Sequence, residues 1–333
     1  MKAMSIEKYG KNVPLLMSER PLPGIGDHDV LVEIHAASLN PIDFKIKEGK
    51  VKLLLKYKFP LILGNDFSGV VVQVGKLVQA FKPGDEVYGR PRKSRIGTLA
   101  EYIAVHEEDI SLKPHNLNFA EAASIPLVGL TTYQAFTEIL DLQQGHKILI
   151  HAGAGGVGTF AIQLAKWMGA YVATTASEKG YELVKGLGAD QIINYKKENF
   201  AEILSEYDAV YDTLGGTALV QSFRILKPGG RIVSISGVPN AAFGKEAQLN
   251  WWKTALLSII SRKITALEKE NQVRYRYLFM KPSGAQLTII KDYIEAGHIK
   301  PVIDKVFTLR DADQALRYLE EGGAKGKVVI KVR

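Results

Sequence analysis

Apolar and polar positions along this chain change their rhythm near residue 120. Before that point the period is two. Val30 to Ala36 (VLVEIHA) and Gly69 to Val74 (GVVVQV) alternate, and Gly75, Pro83-Gly84 and Gly89 punctuate them as turns. The pattern predicts a β-rich first domain over residues 1 to about 122. Ala120 to Leu140 then reads as helix, interrupted at Pro126 and Gly129. After it, apolar runs alternate with helical stretches. KILIHA (147–152) predicts a strand, TFAIQLAKWM (159–168) a helix, YVATTA (171–176) a strand, EKGYELVKGLG (178–188) a helix and QIINY (191–195) a strand. DAVYDTL (208–214), a helix through Phe223, RIVSISG (231–237) and YRYLFM (275–280) continue the series. Strands alternating with helices imply βαβ units, a parallel sheet with right-handed crossovers, and ligands beyond the carboxyl ends of the strands.

The segment from Pro239 to Val273 breaks that series. Trp251, Trp252 and the apolar run TALLSII lead into the charged stretch RKITALEKEN. This predicts one or two amphipathic helices inserted at about 240–273, serving as a lid, a dimer contact or packing. A helix over Gly284 to Ala296, the strand KVFTL, a helix over Ala312 to Glu321 and the strand KVVIKV close the chain. These last elements are expected to return to the first domain. The expected division is therefore 1–122 with 281–333 as one discontinuous domain, and 123–280 as the other.

Composition narrows the chemistry. With 333 residues, 46% apolar and 23% charged, the chain has material for two ordinary soluble cores. Its lack of cysteine excludes disulfides, thiolate nucleophiles and cysteine-ligated metal. The start, MKAMSIEKYG, lacks the apolar core of a signal peptide, and no apolar run approaches the ~20 residues of a membrane span. A cytoplasmic enzyme with no membrane partner is the expectation. The net charge of +8 gathers in two clusters, KEGKVKLLLKYK (47–58) and RPRKSR (90–95). They read as solvated surface, with attraction of anionic ligands as the functional alternative. No nucleic-acid recognition motif accompanies them.

The strongest chemical signal is ILIHAGAGGVG (148–158). An apolar strand feeds a G-x-G-x-x-G turn at Gly153, Gly155 and Gly158, through Gly156 and Val157, and a helix follows at once. The first glycine allows a tight turn, the second lets backbone approach a pyrophosphate, and the third lets helix and strand pack closely. The helix start then offers unpaired N–H groups and a positive dipole end to phosphates. The alternative is a glycine-rich loop that only turns the chain.

SLNPIDF (38–44), GNDFSGVV (64–71), PGDEVYG (83–89), GTLAEY (97–102), SIPLVGLTTYQA (124–135), HAGAGGVG (151–158), LKPGGRIVSISG (226–237) and AKGKVVIKV (324–332) together resemble one family. The resemblance spans essentially the whole chain. It is to the zinc-independent quinone oxidoreductase branch of the medium-chain dehydrogenase/reductase superfamily. It implies an α/β fold: a GroES-like β-rich catalytic domain plus a Rossmann domain with a doubly wound parallel sheet. Zinc-bearing relatives carry a cysteine at the position of Asn40, a His-Glu pair at Asn65-Asp66, and a further cysteine or aspartate near Gly129 or Leu130. Amides, one carboxylate and a glycine or leucine do not make a zinc site, so no metal is expected. Without a Lewis acid, reduction of an electron-poor acceptor is favoured over alcohol oxidation.

The resemblance implies Asn40, Lys45 and Thr131 at the reacting centre, with the neighbouring Asp43 read as structural. Lys45 departs from a tyrosine that quinone reductases often carry, which favours an anionic or oxyanion-developing substrate. Thr131 borders the nicotinamide in the implied site. Ser236 and Gly237, read as ending a strand, and Phe279 and Met280, read as ending the last strand of the parallel sheet, are implied beside the same ring. An acidic residue that selects NAD is expected ~20 residues past the glycine motif. Ala176 or Ser177 stands there, and Glu178 reads as a helix-start acid. Ser177 and Lys179 suit a 2′-phosphate, and Tyr195 and Lys327 match residues that reach the cofactor in relatives. The implied function is NADPH-dependent quinone reduction, with alkenal or enone reduction as the alternative. A nucleotide-binding regulatory protein with little turnover is the alternative of another class. A homodimer through sheet edges is expected.

Overall fold

The structure, a computed structural model, describes residues 1–52 and 55–333. Leu53 and Leu54, inside the first basic cluster, lie outside the described residues. The chain divides into two compact units, Met1–Leu130 with Lys281–Arg333, and Thr131–Met280.

The first unit begins with strands β1 (Lys2–Ile6), β2 (Leu16–Glu19) and β3 (Asp29–Leu39), helix α1 (Pro41–Lys47), and strands β4 (Leu61–Ile62), β5 (Asp66–Val74), β6 (Glu86–Gly89), β7 (Tyr102–His106) and β8 (Ile110–Leu112). Helix α2 (Phe119–Ala123) and the first residues of α3 (Pro126–Gln134) follow. β2, β1 and β4 form a small antiparallel sheet. The second sheet is organised on β3. This eleven-residue strand carries no Gly, Pro or Asn between Val30 and Leu39 to break it. It pairs antiparallel with both β5 and β7. Val30, Val32, Ile34, Phe67, Val71 and Val87 fill the core beside it. Shifts in the β3–β5 register end with Ser38 opposite Asp66. That pairing brings the start of the GNDFSG motif against the end of β3.

The second unit holds β9 (Lys147–Ile150), α4 (Gly156–Trp167), β10 (Tyr171–Ala176), α5 (Tyr181–Gly186), β11 (Gln191–Asn194), α6 (Phe200–Ile203), β12 (Tyr207–Asp212), α7 (Gly216–Ser222) and β13 (Leu226–Ser234). Helices α8 (Ala241–Glu246), α9 (Trp251–Ile260) and α10 (Arg262–Asn271) precede β14 (Arg274–Tyr277). The strands are parallel in the order β11-β10-β9-β12-β13-β14. The order reverses between β9 and β12, where a doubly wound sheet opens a crevice for ligands. Leu149, Val210, Phe223, Ile232 and Tyr275 pack the core.

The insertion forms three helices rather than one or two. Asn240 starts the extra one by accepting a bond from the Phe243 amide at 3.1 Å. The short α8 then rests against α9, with Gly244 so close that a Cβ there would lie 2.9 Å from Thr254 Oγ1. Among the described residues, no helix is long and apolar enough to cross a membrane.

The chain returns to the first unit through α11 (Gly284–Glu295), β15 (Ile303–Thr308), α12 (Ala312–Glu321) and β16 (Lys327–Lys331). β16 lies antiparallel to β3, with Val328 opposite Leu39, and β15 lies parallel to β16. The register therefore faces Lys327 toward Asn40.

Phe223 has no exposed surface and its ring sits 6.4 Å from that of Tyr275. Phe223→Ala removes the ring from a packed core and is expected to cost about 3–5 kcal/mol. Urea denaturation followed by intrinsic fluorescence measures the loss.

Candidate functional site

The glycine turn follows β9 directly, at the point where strand order reverses. A Cβ at Gly153 would lie 2.1 Å from Thr174 Oγ1, and one at Gly158 would lie 2.4 Å from the Ala152 carbonyl. At Gly155 the only near atom is that carbonyl, at 3.3 Å. Two glycines are thus required by internal packing, while the middle one leaves room for a ligand. Ala152 adopts φ 52°, a conformation that costs energy in a non-glycine residue. Its amide donates to Thr175 Oγ1 at 3.0 Å. Gly156, Val157 and Gly158 open the twelve-residue helix α4, whose first-turn amides have no partner within the helix.

His151, fully buried, backs this turn. Ser222 Oγ gives its hydrogen to the Ala218 carbonyl at 2.8 Å. It therefore accepts from His151 Nε2–H at 2.9 Å, which leaves Nδ1 facing Thr175 Oγ1 at 3.5 Å. Burial pushes the imidazole pKa down to about 4, with Asp212 opposing that shift. The ring is neutral near pH 7 and links the glycine turn to α7. Its place at the end of an apolar strand marks it as buried, the one signal of it in the sequence.

Ala176 and Asn194 pair at the ends of β10 and β11, so Ser177 and Tyr195 leave the sheet side by side. Ser177 is half-buried, and Lys179 and Tyr195 are exposed. Glu178, beside them in sequence, pairs with Lys197 at 3.3 Å on the surface, and Glu198 accepts from the Asn194 amide at 2.9 Å. Lys197 adds a second cation to this rim and was not foreseen.

The next strand ends are clasped by Asp212, also unforeseen. Its buried carboxylate accepts from Ser234 Oγ at 2.5 Å and from the Gly215 amide at 2.9 Å. Ser234 Oγ accepts in turn from the Gly237 amide at 2.7 Å. β13 stops at Ser234, so Ser236 and Gly237 lie just beyond the strand rather than ending it. β14 likewise stops at Tyr277, and Phe279 and Met280 follow it. The Leu278 amide makes the last bond of that ladder, to the Ser234 carbonyl at 2.9 Å. The α8 residue Phe243 packs on the rings of Tyr277 and Phe279. Thr131 is buried within α3.

In the first unit, β3, β5 and β16 converge on a buried polar cluster. Asp66, with no exposed surface, accepts from Ser38 Oγ at 2.8 Å, Asn40 Nδ2 at 2.8 Å and Lys327 Nζ at 3.2 Å through one oxygen. Its other oxygen accepts from the Leu127 amide at 2.7 Å. Lys327 also donates to Asn40 Oδ1 at 2.5 Å and to the Leu39 carbonyl at 3.2 Å. Lys327, implied to reach the cofactor, thus turns its ammonium inward, onto three protein acceptors. Burial pushes its pKa down, against the pull of Asp66. Asp43 accepts from the Asn40 amide and from Asn65 Nδ2, each at 2.7 Å. Burial raises its carboxyl to about 6, with the Asn65 bond opposing. Lys45, on α1, is half-buried, and desolvation pushes its pKa down.

The basic clusters are not simply solvated surface. Lys47 is 4% exposed and donates to the carbonyls of Lys11 and Val13. Arg90 is equally buried. Arg92 forks onto Asp109 and Arg95 onto Asp29, each through two bonds of 2.7–3.0 Å. Much of the positive charge braces loops of the first unit.

Residues 26–115 match the model of the alcohol dehydrogenase GroES-like domain, and residues 187–330 that of zinc-binding dehydrogenases. The chain is 34% identical to the mitochondrial NAD(P)H oxidoreductase RTN4IP1 of Danio rerio, covering 100% of this chain and 91% of that protein. The chain belongs to the medium-chain dehydrogenase/reductase superfamily, in its quinone oxidoreductase-like branch. This medium-chain reductase is also 38% identical to the 2-methylene-furan-3-one reductase of Solanum lycopersicum, over 99% of this chain and 79% of the relative. A quinone oxidoreductase from Coxiella burnetii superposes with a TM-score of 0.86 at 35% identity, covering 100% and 99% of the two chains. The protein is an NAD(P)H oxidoreductase.

The family's zinc does not fit this member. At the positions that would ligate it, Asn40 and Asn65 offer amides already bonded to Asp66 and Asp43. Asp66 is itself met by an ammonium. A dication placed there would face the Lys327 charge, with Asp66 the one carboxylate among the three ligand positions and the neighbouring Asp43 already bonded to Asn40 and Asn65. Among the described residues, no group of three or more His, Asp or Glu is placed to hold a metal ion.

His151 makes stability depend on pH. Above pH 6.5 the ring is neutral in folded and unfolded chains alike. Below it, the unfolded chain takes up a proton that the folded one refuses until about pH 4. Stability is full above pH 6.5 and is lost as pH falls, by roughly 2 kcal/mol at pH 5. His151→Gln, neutral throughout, is expected to show a smaller drop in Tm between pH 7 and 5 than the parent, read by scanning fluorimetry. Equal drops would remove the assignment.

Proposed function

We propose that this protein reduces quinones with NADPH by hydride transfer that uses no zinc. The observation that carries the reading is the Asn40–Asp66–Lys327 cluster. The place a metal would take is filled by an internal ammonium, so the substrate must be electron-poor enough to accept hydride without a Lewis acid. Bound NADPH supplies the hydride. The second unit holds it through the glycine turn Gly153–Gly158 and the dipole of α4, with Thr131, Ser236, Gly237, Phe279 and Met280 along the nicotinamide. The first unit supplies Asn40, whose carboxamide N–H answers charge that develops on the substrate oxygen. Lys45 adds a positive charge on the substrate side.

NADPH is favoured over NADH by the rim at β10 and β11. Ser177 and Lys179 follow β10 and Tyr195 follows β11; of the acids at this rim, Glu178 is paired with Lys197 and Glu198 accepts from the Asn194 amide. Lys179→Ala is expected to raise the KM for NADPH about tenfold, equivalent to ~1.4 kcal/mol, and to leave NADH kinetics unchanged. Equal use of both cofactors by the parent would overturn the preference.

A second reading, reduction of the C=C bond of enones and alkenals, is favoured by Lys45 in place of a tyrosine and by the likeness to a furanone reductase. There hydride adds to the β-carbon, and the negative charge collects on the carbonyl oxygen that Asn40 would meet. A panel of 1,4-quinones and enones followed by NADPH absorbance separates the two readings. Turnover confined to enones would replace the first with the second.

A homodimer belongs to the same reading. Among the described residues β14 pairs on one side only, and α9 exposes Trp251, Trp252, Ile259 and Ile260. Light scattering after size exclusion is expected to give twice the 36.7 kDa chain mass.

A further inference from the structure

Asn40 is held between two groups of opposite hydrogen-bonding character. Lys327 Nζ only donates, and Asp66 only accepts when ionised. The carboxamide therefore has one satisfactory orientation, Oδ1 toward Lys327 at 2.5 Å and Nδ2 toward Asp66 at 2.8 Å. Reversed, it would set oxygen against carboxylate and N–H against ammonium. Each Lys327 N–H has an acceptor, so this ammonium is committed and has no proton left for a ligand. The backbone is built to deliver it. Gly326, at φ 99°, passes so near the Val302 carbonyl that a Cβ would lie 2.3 Å from it, and the register then sets Lys327 across from Asn40.

We propose that Lys327 is the positioning residue of the reaction. It fixes the Asn40 carboxamide, and by drawing on Oδ1 it strengthens the second Nδ2–H as a donor to the substrate oxygen. This assignment rests on the reading of Asn40 as the group that meets that oxygen. It gives the buried cation a role other than cofactor binding or charge balance alone.

Single loss of Lys327 strands a buried carboxylate and risks unfolding, so the test uses the charge-balanced pair Lys327→Met with Asp66→Asn. The folded double variant, checked by circular dichroism and Tm, is expected to lose about a hundredfold in kcat on the acceptor the parent reduces, the size of one lost oxyanion donor. Its NADPH dissociation constant is expected to stay within twofold of the parent's. Unchanged kcat would reduce Lys327 to a counter-ion of Asp66, and a tenfold weaker NADPH affinity would return it to the cofactor. Both results overturn the proposal. A second readout needs no turnover. In the 15N spectrum of the parent, the Asn40 side-chain pair, identified by its loss in Asn40→Asp, is expected as two resolved, exchange-protected signals. In the double variant protection falls at least tenfold. Equal protection in both defeats the orientation claim, whereas a parent inactive on every acceptor but with the lock intact defeats only the functional reading beneath it.

Discussion

A carboxylate with no access to water must be met by a cation or a full set of donors, and Asp66 is met by both. This requirement ties together three distant parts of the first unit. Ser38 and Asn40 come from the end of β3, Leu127 from the start of α3, and Lys327 from β16. Buried ion pairs add little net stability, because desolvation offsets attraction. This one forms only where the β3–β5 and β3–β16 registers bring Asp66 and Lys327 together. The long central strand β3 and the register of its neighbours are the scaffold that makes the arrangement possible.

The second unit solves a different problem by the same means. Three successive strand ends, at β9, β12 and β13, are joined by neutral or singly charged bonds that use up the side chains. His151 reaches α7, Asp212 grips Ser234 and the Gly215 amide, and Ser234 grips Gly237. The loops beyond the sheet are thereby held through their own amides, at Leu214, Gly215, Ser236 and Gly237. Glycine is needed where backbone meets backbone or a side chain, at Gly153 and Gly158, while Gly155 leaves its outer side open.

Residue spacing alone made the α/β class, the parallel sheet and the helix after the glycine turn legible, because alternation and glycine position are local signals. YVATTA and Tyr171–Ala176 coincide, as do the expected and observed helix Ala312–Glu321. Strand ends were less legible. Ser236, Phe279 and Met280 fall outside their strands because pairing with a neighbour, and not propensity, decides where a ladder stops. Arg90, Arg92, Arg95 and Lys47 read as surface charge because their partners, such as Asp29 and Asp109, lie far away in sequence. Lys327 illustrates the same limit most sharply. Its motif pointed toward a cofactor, and only the β3–β16 register shows what its ammonium touches.

The ion pair between Asp66 and Lys327 joins residues 261 positions apart, and the bond from Lys327 to Asn40 spans 287. Translation delivers the amino end first. Asp66 therefore leaves the ribosome long before its cation exists, and the first unit waits for the final strand to neutralise its interior. A nascent or prematurely terminated polypeptide holds a complete parallel sheet but an uncompensated charge in its other half. Such products lack the Asp66 counter-ion together with the strand that pairs along β3.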